Sequence, residues 1–193
     1  MKRVCVFCGS SPGANPEFAQ LATRLGGELV RRSLALVYGG GNVGLMGVLA
    51  NAVLAQGGHV IGVIPKALAD LEVAHTGLPD LRIVASMHER KALMADLADA
   101  FVALPGGLGT LEEFCEILTW AQLGMHQKPC GLLSPGRYFD HLIAFLDHAV
   151  AERFLRPEHR ALVLVEEDPV ALLDRFEQFR APAVEKWIDR DVT

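Results

Sequence analysis

Three glycines and two carboxylates fall within nine residues, Pro105-Gly106-Gly107-Leu108-Gly109-Thr110-Leu111-Glu112-Glu113. The apolar run Ala100–Leu104 before them reads as a buried strand, and Phe114–Trp120 after them reads as a helix. A strand, a glycine turn and a helix form a phosphate cradle, because unpaired amides and the positive helix end converge on one spot. Carboxylates on the first turn of that helix help to cap it but repel a bound anion. This conflict suggests that something besides phosphate is handled here. Glu112 and Glu116 are four apart and share a helix face. Glu113 is turned about 100° from Glu112 by the helix period, so the two acids have different surroundings. Either they are solvated first-turn acids, or one holds ribose hydroxyls while the other meets a reacting centre. Carboxylates suit cleavage of a sugar–base bond. Its transition state is oxocarbenium-like, and an anion can stabilise it or activate water.

Other segments could join this one. Gly39-Gly40-Gly41-Asn42-Val43-Gly44 formally contains G-x-G-x-x-G. A dinucleotide site would place that loop after the first strand, with an acid closing the next one. Here it follows the second strand, and the third ends at Pro65-Lys66. A loop approaching a mononucleotide is favoured over NAD or FAD, and over a turn that merely needs positive φ. His88-Glu89-Arg90-Lys91 opens a helix with cations, against the dipole. It is either a solvated cluster or an anion clamp, with Arg as a planar fork and Lys as a point charge. Glu72 stands alone in a polar loop. The seven histidines lack metal-ligand spacing; His141 and His148, seven apart, read as surface or core. No G-x-S-x-G elbow is present to support serine hydrolase chemistry.

The elements that must position these groups alternate. Strands are expected at Arg3–Cys8, Leu34–Tyr38, Val60–Ile64, Arg82–Ala85, Ala100–Leu104, Gly131–Leu133 and Leu162–Val165. Helices are expected from Asn15-Pro16-Glu17 to about Arg32, then over Gly44–Gln56, Met87–Leu97, Leu111–Leu123, Tyr138–Glu152 and Pro169–Phe179. Residues 65 to 80 are mixed, with room for a short helix. Apolar strands separated by helices imply an α/β fold: a single-domain, doubly wound parallel sheet of about seven strands, Rossmann-like, with helices on both faces. Ligands of such sheets sit outside the carboxyl ends of the strands. Gly9-Ser10-Ser11, Gly39–Gly47, Met87–Lys91 and Pro105–Glu113 all fall there. Residues 1–193 are read as one nucleotide-binding hydrolase domain, the last dozen residues as a tail or a partner contact.

Bulk properties exclude other classes. The chain has 193 residues, of which 51% are hydrophobic and 21% charged, as in an ordinary soluble protein. A net charge of −5 gives no basic field for nucleic acid or an acidic membrane, so any anion must be held locally. Lys2 and Arg3 precede only Val4–Phe7, too short for a signal segment, and a cytoplasmic protein is expected. Ser33–Pro65 has no Asp, Glu, Lys or Arg, but its glycines break it into a strand–helix–strand unit rather than a membrane span. Cys5-Val6-Phe7-Cys8 lies in a predicted strand, where residues three apart face opposite sides. With Cys115 and Cys130, these read as buried thiols of a cytosolic protein rather than a redox or zinc pair.

Pro105–Glu113 also resembles the P-G-G-x-G-T-x-x-E signature of the Lonely Guy family, the cytokinin riboside 5′-monophosphate phosphoribohydrolases. Gly39–Gly47, Met87–Lys91 and Val6–Ser11 are similar to that family's other glycine loop, its M-x-x-R-K segment and its opening strand. The similarity runs from residue 3 to about 180. It implies hydrolysis of an adenine-type nucleoside 5′-monophosphate, either AMP or a cytokinin riboside monophosphate, to free base and ribose 5-phosphate. It implies Arg90 and Glu113 as the catalytic pair. Nucleotide contacts would come from Gly106, Gly107, Leu108, Gly109, Thr110, Leu111 and Glu112, with Lys91 and Thr119. Glu72 matches a position near the substrate. Gly9, Ser10, Gly40, Gly41 and Gly44 would complete the loops around the substrate, and Met46 and Met87 an apolar pocket for the base. No cofactor and no metal are implied. The expected ligand is a small nucleoside monophosphate, and the expected assembly is a homodimer or a larger homo-oligomer, with site residues near the partner chain. The alternative on the same fold is a non-catalytic nucleotide or cofactor carrier, which needs the glycine cradle but not the Arg90–Glu113 pair. A "lysine decarboxylase" label attached to the family finds no support in the residues. Pyridoxal chemistry needs a Schiff-base lysine, and none of Lys2, Lys66, Lys91, Lys128 and Lys186 sits in a recognisable setting for it.

Overall fold

The computed structural model describes residues 1–70 and 74–182. Seven strands form one parallel sheet in the order β4-β3-β2-β1-β5-β6-β7. They are β1 (Arg3–Phe7), β2 (Ala35–Tyr38), β3 (Val60–Pro65), β4 (Asp80–Val84), β5 (Ala100–Ala103), β6 (Cys130–Leu133) and β7 (Val163–Glu166). The helices are α1 (Glu17–Arg31), α2 (Gly44–Leu54), α3 (Lys66–Ala69), α4 (Met87–Leu97), α5 (Leu108–Gln122), α6 (Asp140–Ala151), α7 (Pro157–Arg160) and α8 (Pro169–Gln178). This is the doubly wound α/β sheet that the alternating pattern implies. Among the described residues, no helix is long and apolar enough to cross a membrane.

Strand alternation builds two cores. Val4, Val6, Leu36 and Tyr38 face one side, where α1, α2 and α8 cover them. Cys5, Phe7, Val37 and Phe101 face the other, under α4, α5 and α6. Cys5 and Cys8 belong to opposite cores, so the C-x-x-C is not a thiol pair; Cys130 is buried as expected, but Cys115, on the outer face of α5, is exposed.

Strand order reverses around β1, which pairs with β2 on one side and β5 on the other. The loops after β1 and β5 therefore part at the carboxyl edge and leave a crevice. They are tied at its floor, where Gly9 N–H donates to the Pro105 carbonyl at 3.0 Å and Leu104 N–H to the Phe7 carbonyl at 2.9 Å.

Three boundaries differ from expectation in ways that matter. α5 starts at Leu108, not Leu111, so Gly109 and Thr110 belong to its first turn. Gly107, in extended backbone, is the N-cap. First-turn amides have no intrahelical partner whatever their residue type, which lets a glycine sit there. β1 ends at Phe7, which leaves Cys8 in the loop. α7 was not expected; a proline in its first turn starts it. Glu72 and residues 183–193, which include most of the expected tail, lie outside the described residues.

Candidate active site

A cleft of ≈ 440 Å³ opens at the strand-order reversal. Of the residues expected to form a site, Gly9, Ser10, Gly41, Met46, Arg90, Gly107, Leu108, Gly109, Thr110 and Glu113 line it. They arrive from four separate loops and helix starts, as the sheet topology requires.

Arg90 and Glu113 meet across the wall between α4 and α5, Nη2 to Oε1 at 3.2 Å. Both residues are only 8% exposed. The start of α4 is fixed by a reciprocal cap. Ser86 Oγ accepts from Glu89 N–H at 3.1 Å, and the Glu89 carboxylate accepts from Ala85 N–H at 2.7 Å. One residue later, Arg90 fills the space that glycine leaves at position 39. A Cβ on Gly39 would lie 1.9 Å from Arg90 Nη2. Arg90 Nε is buried with no hydrogen-bond partner among the described residues. It is an unsatisfied donor beside the cleft, the kind of group a ligand can satisfy.

The acids of α5 divide as the helix period predicts. Glu112 and Glu116 reach the same ammonium, that of Lys91, at 2.5 and 3.0 Å. Glu113 turns the other way, into the cleft. The reading of Arg90 and Lys91 as a joint anion clamp does not describe this geometry, because Lys91 is off the cleft surface with its charge taken up by two carboxylates. Burial opposes the Lys91 charge, but hydrogen bonds to Glu112 and Glu116 outweigh it and raise its pKa. Burial pushes the Glu113 carboxyl above its ordinary range, and the Arg90 cation pulls the other way. Cys8 also lines the cleft. Burial, then the Glu113 charge, raise its thiol far above the usual range, so it is no thiolate nucleophile.

Several expected residues shape the site without lining it. Gly44 adopts φ +58°, and a Cβ there would lie 2.3 Å from the Ser10 carbonyl carbon. Gly40 accepts from His75 N–H at 2.8 Å through its carbonyl. Gly106 backs onto the Thr110 hydroxyl. Leu111 packs into the second core. Met87 stays on the surface with its sulfur 3.7 Å from Arg90 Nη1. Thr119 lies far along α5, exposed, with its hydroxyl on the Cys115 carbonyl, and the structure does not bring it to the cleft. Gly39 and Val43, in the glycine loop expected at the ligand edge, also line the cleft, as do Val6, Phe7 and Cys8 of the first strand and its loop; Ile64 and Leu68 were in no segment singled out from the sequence. Ile64 follows from the carboxyl-end rule applied to β3, a signal available in the apolar run before Lys66, and Leu68 sits on the short helix α3 that follows it.

The family described as "Possible lysine decarboxylase" matches residues 46–176. A probable cytokinin riboside 5′-monophosphate phosphoribohydrolase of Oryza sativa subsp. japonica is 54% identical, over 92% of this chain and 78% of its own. A cytokinin riboside 5′-monophosphate phosphoribohydrolase of Arabidopsis thaliana is 50% identical, over 92% of this chain and 82% of its own. One from Rhodococcoides fascians is 52% identical, over 86% and 85%. The chain belongs to the Lonely Guy family of phosphoribohydrolases. It is therefore an enzyme, an N-glycosyl hydrolase. The molybdenum cofactor binding protein of Rippkaea orientalis superposes with a TM-score of 0.70 at 21% identity, covering 92% of this chain and 97% of that one. At that identity the likeness shows the fold alone.

The decarboxylase wording fits this Lonely Guy chain poorly. A Schiff-base lysine is activated by a lowered pKa, and Lys91, next to Arg90 in sequence, has a raised one. Lys66 is paired with Asp70, and Lys128 donates to the Ala95 carbonyl.

Proposed function

We propose that the cleft hydrolyses the N-glycosidic bond of adenine-type nucleoside 5′-monophosphates, releasing free base and ribose 5-phosphate. The observation that carries this reading is the buried Arg90–Glu113 pair set 3.2 Å apart on the wall of a glycine-lined cleft. The amides of Gly107, Gly109 and Thr110 hold the 5′-phosphate at the start of α5, where the helix dipole favours an anion. Gly9 and Ser10 close the opposite side. Glu113 contacts the ribose and stabilises the oxocarbenium-like state or the attacking water. Arg90 orients that carboxylate and favours its ionised form against the effect of burial. Residues 1–193 act as one domain for this purpose. A homodimer is proposed with it, for which α6 offers an apolar helix with no buried residue, carrying Phe145 and followed by Phe154, 63% and 90% exposed.

Val43, Met46, Ile64 and Leu68 give the cleft an apolar wall suited to a substituted base. AMP and N6-prenylated AMP are both expected to release base. The prenylated nucleotide is expected to have about tenfold higher kcat/KM if two methylene equivalents are buried at ~0.8 kcal/mol each. Equal kcat/KM values would separate the wall from the base. A carrier function would need the cradle but not the pair; binding without release would favour it.

The pH profile tests the ionisation state. A raised Glu113 pKa places the acid limb of kcat/KM above the ordinary glutamate value of about 4.3. Removing the Arg90 cation should move that limb further up in residual activity. A limb that stays put in Arg90→Gln would mean that Glu113 is not the group titrating.

A further inference from the structure

Tyr138, between β6 and α6, takes no part in the cleft lining, yet its hydroxyl donates to the Gly106 carbonyl at 2.7 Å. We propose that Tyr138 is a positioning residue that fixes the phosphate-binding peptide of the glycine turn. The proposal rests on the phosphate placement given above.

The Gly106 carbonyl and the Gly107 N–H belong to one peptide unit. That unit is trans, so its two polar groups point in opposite directions. Gly106 and Tyr138 share a groove behind the turn, whereas Gly107 also reaches the cleft. A carbonyl anchored on Tyr138 therefore turns the Gly107 amide toward the cleft. Accepting a hydrogen bond also polarises the peptide and strengthens its N–H as a donor. The turn is closely packed around the glycine. A Cβ at Gly106 would sit 2.0 Å from Thr110 Oγ1 and 2.9 Å from Gly9 N, so the turn is pressed from both sides.

The tyrosine is itself held. Its ring meets Phe18 of α1 edge-on at 5.4 Å and Phe139 at 4.9 Å. The turn that delivers it carries two residues in left-handed backbone, Gly136 at φ +53° and Arg137 at φ +64°. Tyr138 N–H returns to the Pro135 carbonyl at 3.1 Å, and Phe139 N–H to Ser134 Oγ at 2.9 Å. This is a rigid arm for a side chain that is still 41% exposed and whose hydroxyl makes one bond, to the turn. Burial of the ring alone would not require the hydroxyl.

Tyr138→Phe keeps the ring and removes the bond. Titration calorimetry with ribose 5-phosphate and, separately, adenine reads the result without turnover. Ribose 5-phosphate is expected to bind about fivefold more weakly, the scale of one net hydrogen bond, with adenine unchanged. KM for AMP should rise by the same factor while kcat stays within about twofold, the sign of lost uniform binding. Unchanged ribose 5-phosphate affinity, or equal weakening of both ligands, would overturn the proposal. A wild-type chain that binds ribose 5-phosphate but releases no base would instead overturn the hydrolytic reading, so the two failures are distinguishable.

Discussion

Glu113→Gln is expected to lose at least about 10²-fold in kcat, the low end for a positioned acid–base group, while folding normally. Gln is nearly isosteric, and its carbonyl can still accept from Arg90, so the 3.2 Å contact between α4 and α5 has a replacement. What disappears is the negative charge facing the developing oxocarbenium. Stability should move in the other direction. A carboxyl whose folded pKa is raised contributes stability that is present below its unfolded pKa and lost as pH rises through the folded one. Above that folded pKa an ionised Glu113 is unfavourable, and Glu113→Gln should melt no lower than wild type there. Steady-state base release together with a thermal melt reads both effects. A variant retaining more than about a tenth of wild-type kcat, a loss under ~1.4 kcal/mol, would remove Glu113 from its proposed role.

The second large effect comes from a residue with no functional group. Gly39→Ala puts a methyl 1.9 Å from Arg90 Nη2 and 3.0 Å from its Cζ. Gly39 is not among the glycines with positive φ, so alanine suits its backbone. The cost falls on the guanidinium, which must leave Glu113. Displacements of about 1 Å in a catalytic group can cost 10²-fold, so a drop in kcat of at least about tenfold is expected, with the acid limb of the pH profile shifted upward. Gly109→Ala is the control, because a methyl there meets nothing within 4 Å. It should raise KM by crowding the phosphate while leaving kcat closer to wild type. A Gly39→Ala enzyme with wild-type kcat would mean that the Arg90 position does not matter.

Much of this was legible in the residues. Val4–Phe7, Leu36–Tyr38 and Phe101–Ala103 read as parallel strands because both sheet faces are covered and apolar side chains suit every position. That Glu113 would part from Glu112 and Glu116 followed from a 100° helix step, whereas the pairing of Glu112 with Lys91 did not. The start of α5 was not legible, since glycine signals a loop by propensity and its acceptance in a first turn depends on orphan amides. The fate of Lys91 was hidden too. A cation next to Arg90 in sequence points off the cleft in space, and only the packing of α4 on α5 reveals its two carboxylate partners. Gly39 shows the same limit, because its role is to be empty where Arg90 is full.

Prolonged incubation of the wild-type chain with N6-prenylated AMP, with free base and ribose 5-phosphate quantified by chromatography, tests the central claim most directly. Equimolar release of the two products is the predicted result, abolished in Glu113→Gln. Intact nucleotide, with binding confirmed by calorimetry, would contradict it and leave the cleft as a carrier site.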